Sequence, residues 1–209
     1  MRILITSGPT RQYLDPVRYL TNASSGRMGS ALAEACVVAG HEVVVVSGPV
    51  EVTYPAAATV VPVISTEEML EACLNEFPNC DGLIGAAAPC DYRPIRIAPH
   101  KLAKTGGELK LHLVETPDVV ALCGAIKEHQ WIVAFALETQ DQRMRALQKL
   151  ERKSADLIVL NGPGAIHATQ TDIEIIDRRG EILAALSGSK RTVAEGILRV
   201  VHQRLVCCP

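Results

Sequence analysis

Aromatic residues are scarce in this 209-residue chain: four Tyr, two Phe and one Trp amount to 3% of it. Single-strand nucleic-acid binders stack bases on exposed rings along a basic groove. The basic field is missing as well, since 21 Lys and Arg stand against 23 Asp and Glu for a formal charge of −2. Nucleic acid is therefore not an expected partner. No apolar run reaches the ~18–20 residues that a membrane span needs. Met1-Arg2 passes directly into Ile3-Leu4-Ile5-Thr6, too short for a signal h-region and without a small-residue cleavage site, so neither membrane nor export is expected. The seven cysteines, at 36, 73, 80, 90, 123, 207 and 208, are odd in number and form no C-x-x-C pair. They read as packing or surface thiols in a reducing cytoplasm rather than a disulfide framework.

What remains is a chain that is 48% hydrophobic and must build its core from Ala, Val, Leu and Ile. Its length, set against ~150 residues per domain, implies one domain over 1–209 with an elaboration. Short Val/Ile-rich runs alternate with segments of helical period, the pattern of βαβ units around a parallel sheet. Strands are expected at Ile3–Thr6, His41–Ser47, Thr59–Ile64, Asp81–Ala88, Trp131–Leu137 and Ala155–Leu160. The unbroken Val43–Val46 run implies burial on both faces. Helices are expected after Ser24-Ser25-Gly26 up to Gly40, after Ser65, after Pro117-Asp118, and over Asp141–Arg152. Asp172–Asp177 and Glu181–Leu186 read as a hairpin turning at Arg178-Arg179-Gly180, and Thr192–Leu205 as a closing helix. Tyr92–Thr116 breaks the pattern and reads as an inserted flap. Within it Glu108–Leu113 alternates strictly, as a half-exposed strand does.

In an open α/β sheet ligands bind beyond the carboxyl ends of the strands, and the unusual residues gather in those loops. Ser24 and Ser25 before Gly26 and Gly29 offer hydroxyls, amides and close approach to a phosphate; equally, a serine there can serve only as a helix cap. Lys101 and Lys104 stand three apart, Lys149 and Lys153 four apart, so each pair can meet one polyphosphate or merely face solvent. Asp91 and Asp118 suit a ribose hydroxyl, a metal or a helix cap. Asp15, Arg18 and Asn22 form a polar cluster within one loop. The loop is neither G-x-G-x-x-G nor a P-loop.

Together these residues resemble one family. Ser7-Gly-Pro-Thr-Arg, with Asp15-Pro-Val-Arg-Tyr-Leu-Thr-Asn22-Ala-Ser-Ser-Gly-Arg-Met-Gly29, looks like the signature of phosphopantothenoylcysteine synthetase, or phosphopantothenate cysteine ligase, of coenzyme A biosynthesis. Ala87–Pro94, Ala98–Lys104, Thr116–Val120, Phe135–Thr139 and Asp156–Asn161 follow in the family's order. The resemblance implies a Rossmann-like fold, dimeric through its projecting strands, with Glu108–Leu113 as the contact. It implies activation of the 4'-phosphopantothenate carboxylate by a nucleoside triphosphate with Mg²⁺, CTP ahead of ATP, and displacement of the nucleotide by the cysteine amine. Lys101 is the implied activating cation and Asn22 the residue that handles the acyl-nucleotidylate. Ser24, Ser25, Gly26, Ala87, Asp91, Lys104, Pro117, Asp118, Val119, Val120, Phe135, Lys149 and Lys153 are implied around the nucleotide. Arg18 is implied at the substrate phosphate and Asp91 at Mg²⁺. No flavin is expected, since the chain opens at the synthetase motif.

Two departures stand out: Ala103, where members often carry Lys, and Pro89-Cys90, where small apolar residues are usual. The rival readings are a short-chain NAD(P) reductase and a non-catalytic nucleotide-binding module. The first needs Tyr-x-x-x-Lys, which none of Tyr13, Tyr19, Tyr54 or Tyr92 begins.

Overall fold

The computed structural model describes residues 1–137, 142–161 and 170–206. The chain runs β1 (Arg2–Ser7), β2 (Arg11–Tyr13), β3 (Tyr19–Thr21), α1 (Arg27–Val38), β4 (Glu42–Ser47), β5 (Thr59–Pro62), α2 (Thr66–Glu76) and β6 (Gly82–Gly85). It continues through β7 (Tyr92–Pro94), β8 (Leu113–Glu115), α3 (Val119–Ala125), β9 (Trp131–Leu137), α4 (Gln142–Arg152), β10 (Leu157–Asn161), β11 (Gln170–Asp177), β12 (Ile182–Ser189) and α5 (Lys190–Val201). Eight strands form one sheet in the order β12-β11-β10-β9-β6-β1-β4-β5. The six from β10 to β5 are parallel, and β11 and β12 close one edge as an antiparallel hairpin.

Period-two alternation explains the two layers. Ile3, Ile5, Val43, Val45, Val133 and Val159 face one apolar cluster with Leu32 and Cys36 of α1 and Val193 and Ile197 of α5. Their neighbours Leu4, Val44, Val46, Ile132 and Ile158 face the other, with Met69 of α2, Cys123 of α3 and Leu150 of α4. A strand with no polar position is thus buried on both sides, as the Val43–Val46 run implied. Each such side chain contributes on the order of 1.5–3 kcal/mol. Cys36, Cys73, Cys80, Cys90 and Cys123 are buried free thiols; Cys207 and Cys208 lie outside the described residues. Among the described residues no helix is long and apolar enough to cross a membrane.

Several boundaries differ from the sequence expectation, each for a tertiary reason. The strand expected to Ala88 ends at Gly85 because the next residues turn onto the first loop: the Ala87 amide donates to Thr6 Oγ1 (3.2 Å) and that of Ala88 to the Gly8 carbonyl (2.9 Å). β5 stops at Pro62 and is largely exposed, as suits a sheet edge. The long first loop contains a hairpin of its own, β2 with β3. In the flap, β7 pairs with β8 at Leu113–Glu115, so the strand expected at Glu108–Leu113 begins only at its last residue; residues 108–112 alternate but have no partner strand among the described residues. α5 begins at Lys190 rather than Thr192, because Ser189 caps it by accepting the Thr192 amide (3.1 Å). Past Val201, His202–Val206 form a wider π turn. The expected start of α4 at Asp141 lies outside the described residues.

Candidate active-site cleft

After β1 the chain visits β4 and β5 on one side and then crosses to β6 on the other. That reversal splays the loops at the carboxyl ends of β1 and β6, where an open α/β sheet takes its ligands. A cleft of about 950 Å³ opens there, at the upper end of the usual range for small-molecule sites.

The first wall is the amino end of α1. Its N-cap is Gly26, at φ +74°, with no side-chain cap hydrogen bond. Of the two readings open for Ser24 and Ser25, the helix cap does not hold: both line the cleft beside uncapped amides, an arrangement that favours an anion. The helix comes this close because residue 29 is glycine; a Cβ there would collide with Ser7. Ser7 Oγ in turn accepts from Tyr54 OH (2.9 Å), which also meets Ser47 Oγ (2.7 Å), tying β1 to β4 beneath the cleft.

The second wall is the turn after β6. Asn22 reaches it through Nδ2, which donates to the carbonyls of Pro89 (2.8 Å) and Ala88 (3.3 Å). The Pro89-Cys90 departure is absorbed by hydroxyls: the Cys90 amide donates to Thr10 Oγ1 (2.8 Å), and its carbonyl accepts from Thr116 (2.6 Å) and Thr66 (3.2 Å). Ala87 and Asp91 line the cleft from this turn.

The third wall brings Pro117, Asp118, Val119 and Val120 at the start of α3 against Phe135 of β9 and Lys149 and Lys153 of α4. Asp118 caps α3 by accepting the Ala121 amide (3.1 Å). It also receives Lys153 Nζ on both oxygens (2.5 and 2.7 Å) and Arg152 (3.2 Å). Burial alone would raise the Asp118 pKa, but the Lys153 hydrogen bond and charge prevail and hold it below the usual carboxylate range. Burial pushes the Lys153 ammonium down despite Asp118. The Lys149/Lys153 pair is thus not simply two free cations: Lys153 enters the cleft already paired.

The structure leaves three expected residues outside this lining. Lys101 and Lys104 are exposed on the flap. Arg18 binds Asp15 through Nε (2.9 Å) and the flap carbonyl of Leu102 through Nη2. All three belong to the flap and its anchor, of which only the base, at Tyr92 and Glu115–Thr116, lines the cleft. Conversely, Asn161, Arg27 and Lys190 line it without having been singled out. Asn161 Oδ1 is buried with no hydrogen-bond partner among the described residues, which suits an acceptor open to a ligand donor. Among the described residues no three His, Cys, Asp or Glu side chains cluster as a metal cage.

Sheet order, switch-point cleft and uncapped helix together define a doubly wound α/β protein with an open cleft at the carboxyl ends of β1 and β6. Within that class, the chain belongs to the family described as the DNA/pantothenate metabolism flavoprotein C-terminal domain, which it matches over residues 1–205. It is 35% identical over 207 residues to the coenzyme A biosynthesis bifunctional protein CoaBC of Haemophilus influenzae, covering 97% of this chain and 52% of that protein. It is 41% identical over 207 residues to a cysteine/cysteine sulfinic acid decarboxylase of an unknown prokaryotic organism, covering 96% of this chain and 57% of that one. The chain thus spans about half the length of the curated relatives it matches. The crystal structure of the C-terminal domain of a CoaBC protein superposes with a TM-score of 0.82 at 37% identity, covering 98% of this chain and 95% of that one.

Proposed function

We propose that this chain is the ligase that joins 4'-phosphopantothenate to L-cysteine through an acyl-nucleotidylate, releasing pyrophosphate, with CTP preferred over ATP. The observation that carries the reading is the cleft at the β1/β6 switch point, where uncapped amides of α1 and the anchored amide of Asn22 face each other. Its likeness to the C-terminal domain of CoaBC, over nearly the whole of both chains, supports the same reading.

A carboxylate resists attack by an amine until its oxygen is turned into a leaving group. The α1 amides with Ser24 and Ser25 would hold the triphosphate, while Phe135 and the start of α3 would take the base. The orphan Asn161 Oδ1 would accept from a ligand N–H or hydroxyl. Lys153, held by Asp118, and Lys149 add fixed positive charge where negative charge builds up. Asn22 spends its N–H groups on two carbonyls, so its Oδ1 is left to orient the mixed anhydride without adding charge. Lys101 would reach the α-phosphate from the flap, and Lys104 would add charge beside it; Arg18 would meet the substrate phosphate.

Mg²⁺ prefers phosphate oxygens, waters and one or two carboxylates. Asp118 is committed to Lys153, so Asp91 is the residue that fits an ion carried on the nucleotide. Bound there, the ion would neutralise phosphate charge. The exposed apolar residues Ile95, Ile97 and Leu109 of the flap support a homodimer built through it. A cytoplasmic setting suits the buried free thiols.

The test is pyrophosphate release with 4'-phosphopantothenate, cysteine and Mg²⁺, run with CTP and ATP in parallel and each substrate omitted in turn. Release that depends on phosphopantothenate is expected, faster with CTP. No release with either nucleotide would overturn the reading.

A further inference from the structure

One heavily ligated carboxylate is not used by the proposed chemistry. Asp15 has no exposed surface. Its Oδ1 accepts the amides of Val17 and Arg18 (2.8 Å each), and its Oδ2 accepts Arg18 Nε (2.9 Å) and the amide of Leu102 (3.1 Å). Burial alone would push its pKa up, but the Val17, Leu102 and Arg18 amides, with the Arg18 charge, hold it at about 2.

Two of those partners lie far apart in sequence. Arg18 follows β2 in the first loop; Leu102 is in the flap, beside Lys101. Arg18 Nη2 also donates to the Leu102 carbonyl, so both backbone groups of Leu102 are bound to this one cluster. A second tie runs from the Ala98 amide to the Leu14 carbonyl (2.9 Å). Beyond it the picture changes: residues 103–111 are all exposed, and no described hydrogen bond holds them. The flap thus has a paired base at β7 and β8, a tethered root at 98–102 and an untethered tip.

We propose that Asp15 is a positioning residue that locks the flap root and Arg18 to the first loop, so that Lys101 is presented from a fixed base while Lys104 rides on the mobile tip. What Lys101 is presented to rests on the ligase reading; the tether itself does not. A cation that stabilises charge at a reacting phosphorus acts only if it is already in place, and an exposed lysine on a free loop is not.

Hydrogen exchange of the unmodified protein reads the tether directly. The Leu102 and Ala98 amides should exchange at least about tenfold more slowly than those of residues 103–111; equal rates would overturn the proposal. In Asp15→Asn the one amide oxygen can serve only one of the two donor sets, so protection of Leu102 should fall while the amides of β1 and β4 keep theirs. For pyrophosphate release, kcat should fall about tenfold or more, with KM for the nucleotide within about twofold. Adding Arg18→Gln should then lower kcat less than twofold further, because the two act as one unit. A folded Asp15→Asn protein with unchanged kcat, or losses that simply multiply, would sink the role. Should Asp15→Asn not fold, Arg18→Gln alone keeps the three backbone donors on Asp15 and should still loosen the root and lower kcat; unchanged exchange there would overturn the proposal. If the unmodified protein releases no pyrophosphate, the ligase reading falls, and the exchange pattern still decides the tether.

Discussion

Asn22 shows how much one neutral amide carries. Its Nδ2 bridges the carbonyls of Ala88 and Pro89, so Asn22→Asp would set a carboxylate against two carbonyl oxygens and, on the proposed ligase reading, beside the acyl-nucleotidylate. Pyrophosphate release should survive, but phosphopantothenoylcysteine should fall about a hundredfold or more, a loss of roughly 3 kcal/mol in the second step. Normal product formation, followed by mass spectrometry, would remove Asn22 from that step. Lys101→Gln should act one step earlier and abolish pyrophosphate release; unchanged release would take Lys101 out of the activation. Asn22, Ser24, Ser25 and Gly26 were legible in the sequence because they sit in one contiguous loop. Asn161 was not, because what singles it out is a buried acceptor with no partner, a fact of tertiary packing. Lys190 carried no signal at all: it is the first residue of α5, two residues before the start that the helical period implied.

At the scale of elements, α1 and β1 meet through a glycine, and that contact sets the depth of the first wall. Gly29→Ala would drive a methyl group into Ser7 and through it disturb the link to Tyr54 and Ser47. Overpacking of this kind costs about 1–3 kcal/mol, or roughly 2–4 °C of Tm per kcal/mol at this size, and calorimetry should show it. The elements themselves were mostly readable: Trp131–Leu137 begins and ends as expected, because Val, Ile and Ala there alternate between two cores. Where the reading failed, periodicity alone was the guide. Glu108–Leu113 has the alternation of a strand but joins a ladder only at Leu113, opposite Pro94, and Gly85 ends β6 because the chain must turn onto the first loop. The ends of α1 and α5 also meet. His41 Nε2 lies 2.8 Å from His202 Nε2, within hydrogen-bond distance. Burial, then the amino terminus and His202, lower the His41 pKa, with Asp81 opposing. A depressed pKa means that folding disfavours protonation, so this stability is present above the ordinary value near 6.5 and is lost as pH falls below it. His41→Gln should flatten the fall in Tm between about pH 7 and pH 5; an unchanged slope would show that the pair does not matter to acid stability.

Charge across the whole molecule is unevenly placed although its total is only −2. Residues 92–116 hold five of the 21 Lys and Arg but only two of the 23 Asp and Glu, so the flap is cationic and the remainder is anionic. A polyanion approaching an acidic body gains attraction only near the flap and the cleft wall formed by α1 and α4. With exposed charges screened over about 8–10 Å at physiological salt, that attraction acts on encounter rather than on the bound complex. Raising salt from roughly 50 to 300 mM should therefore lower kcat/KM for the nucleotide severalfold and leave kcat within about twofold. Replacing Lys104 and Lys110 by Gln, both on the exposed tip, should reproduce most of the salt effect at low ionic strength. Equal falls in kcat and kcat/KM would instead mean that salt acts on an interaction made in the transition state, and the flap's charge would then belong to the chemistry rather than to capture.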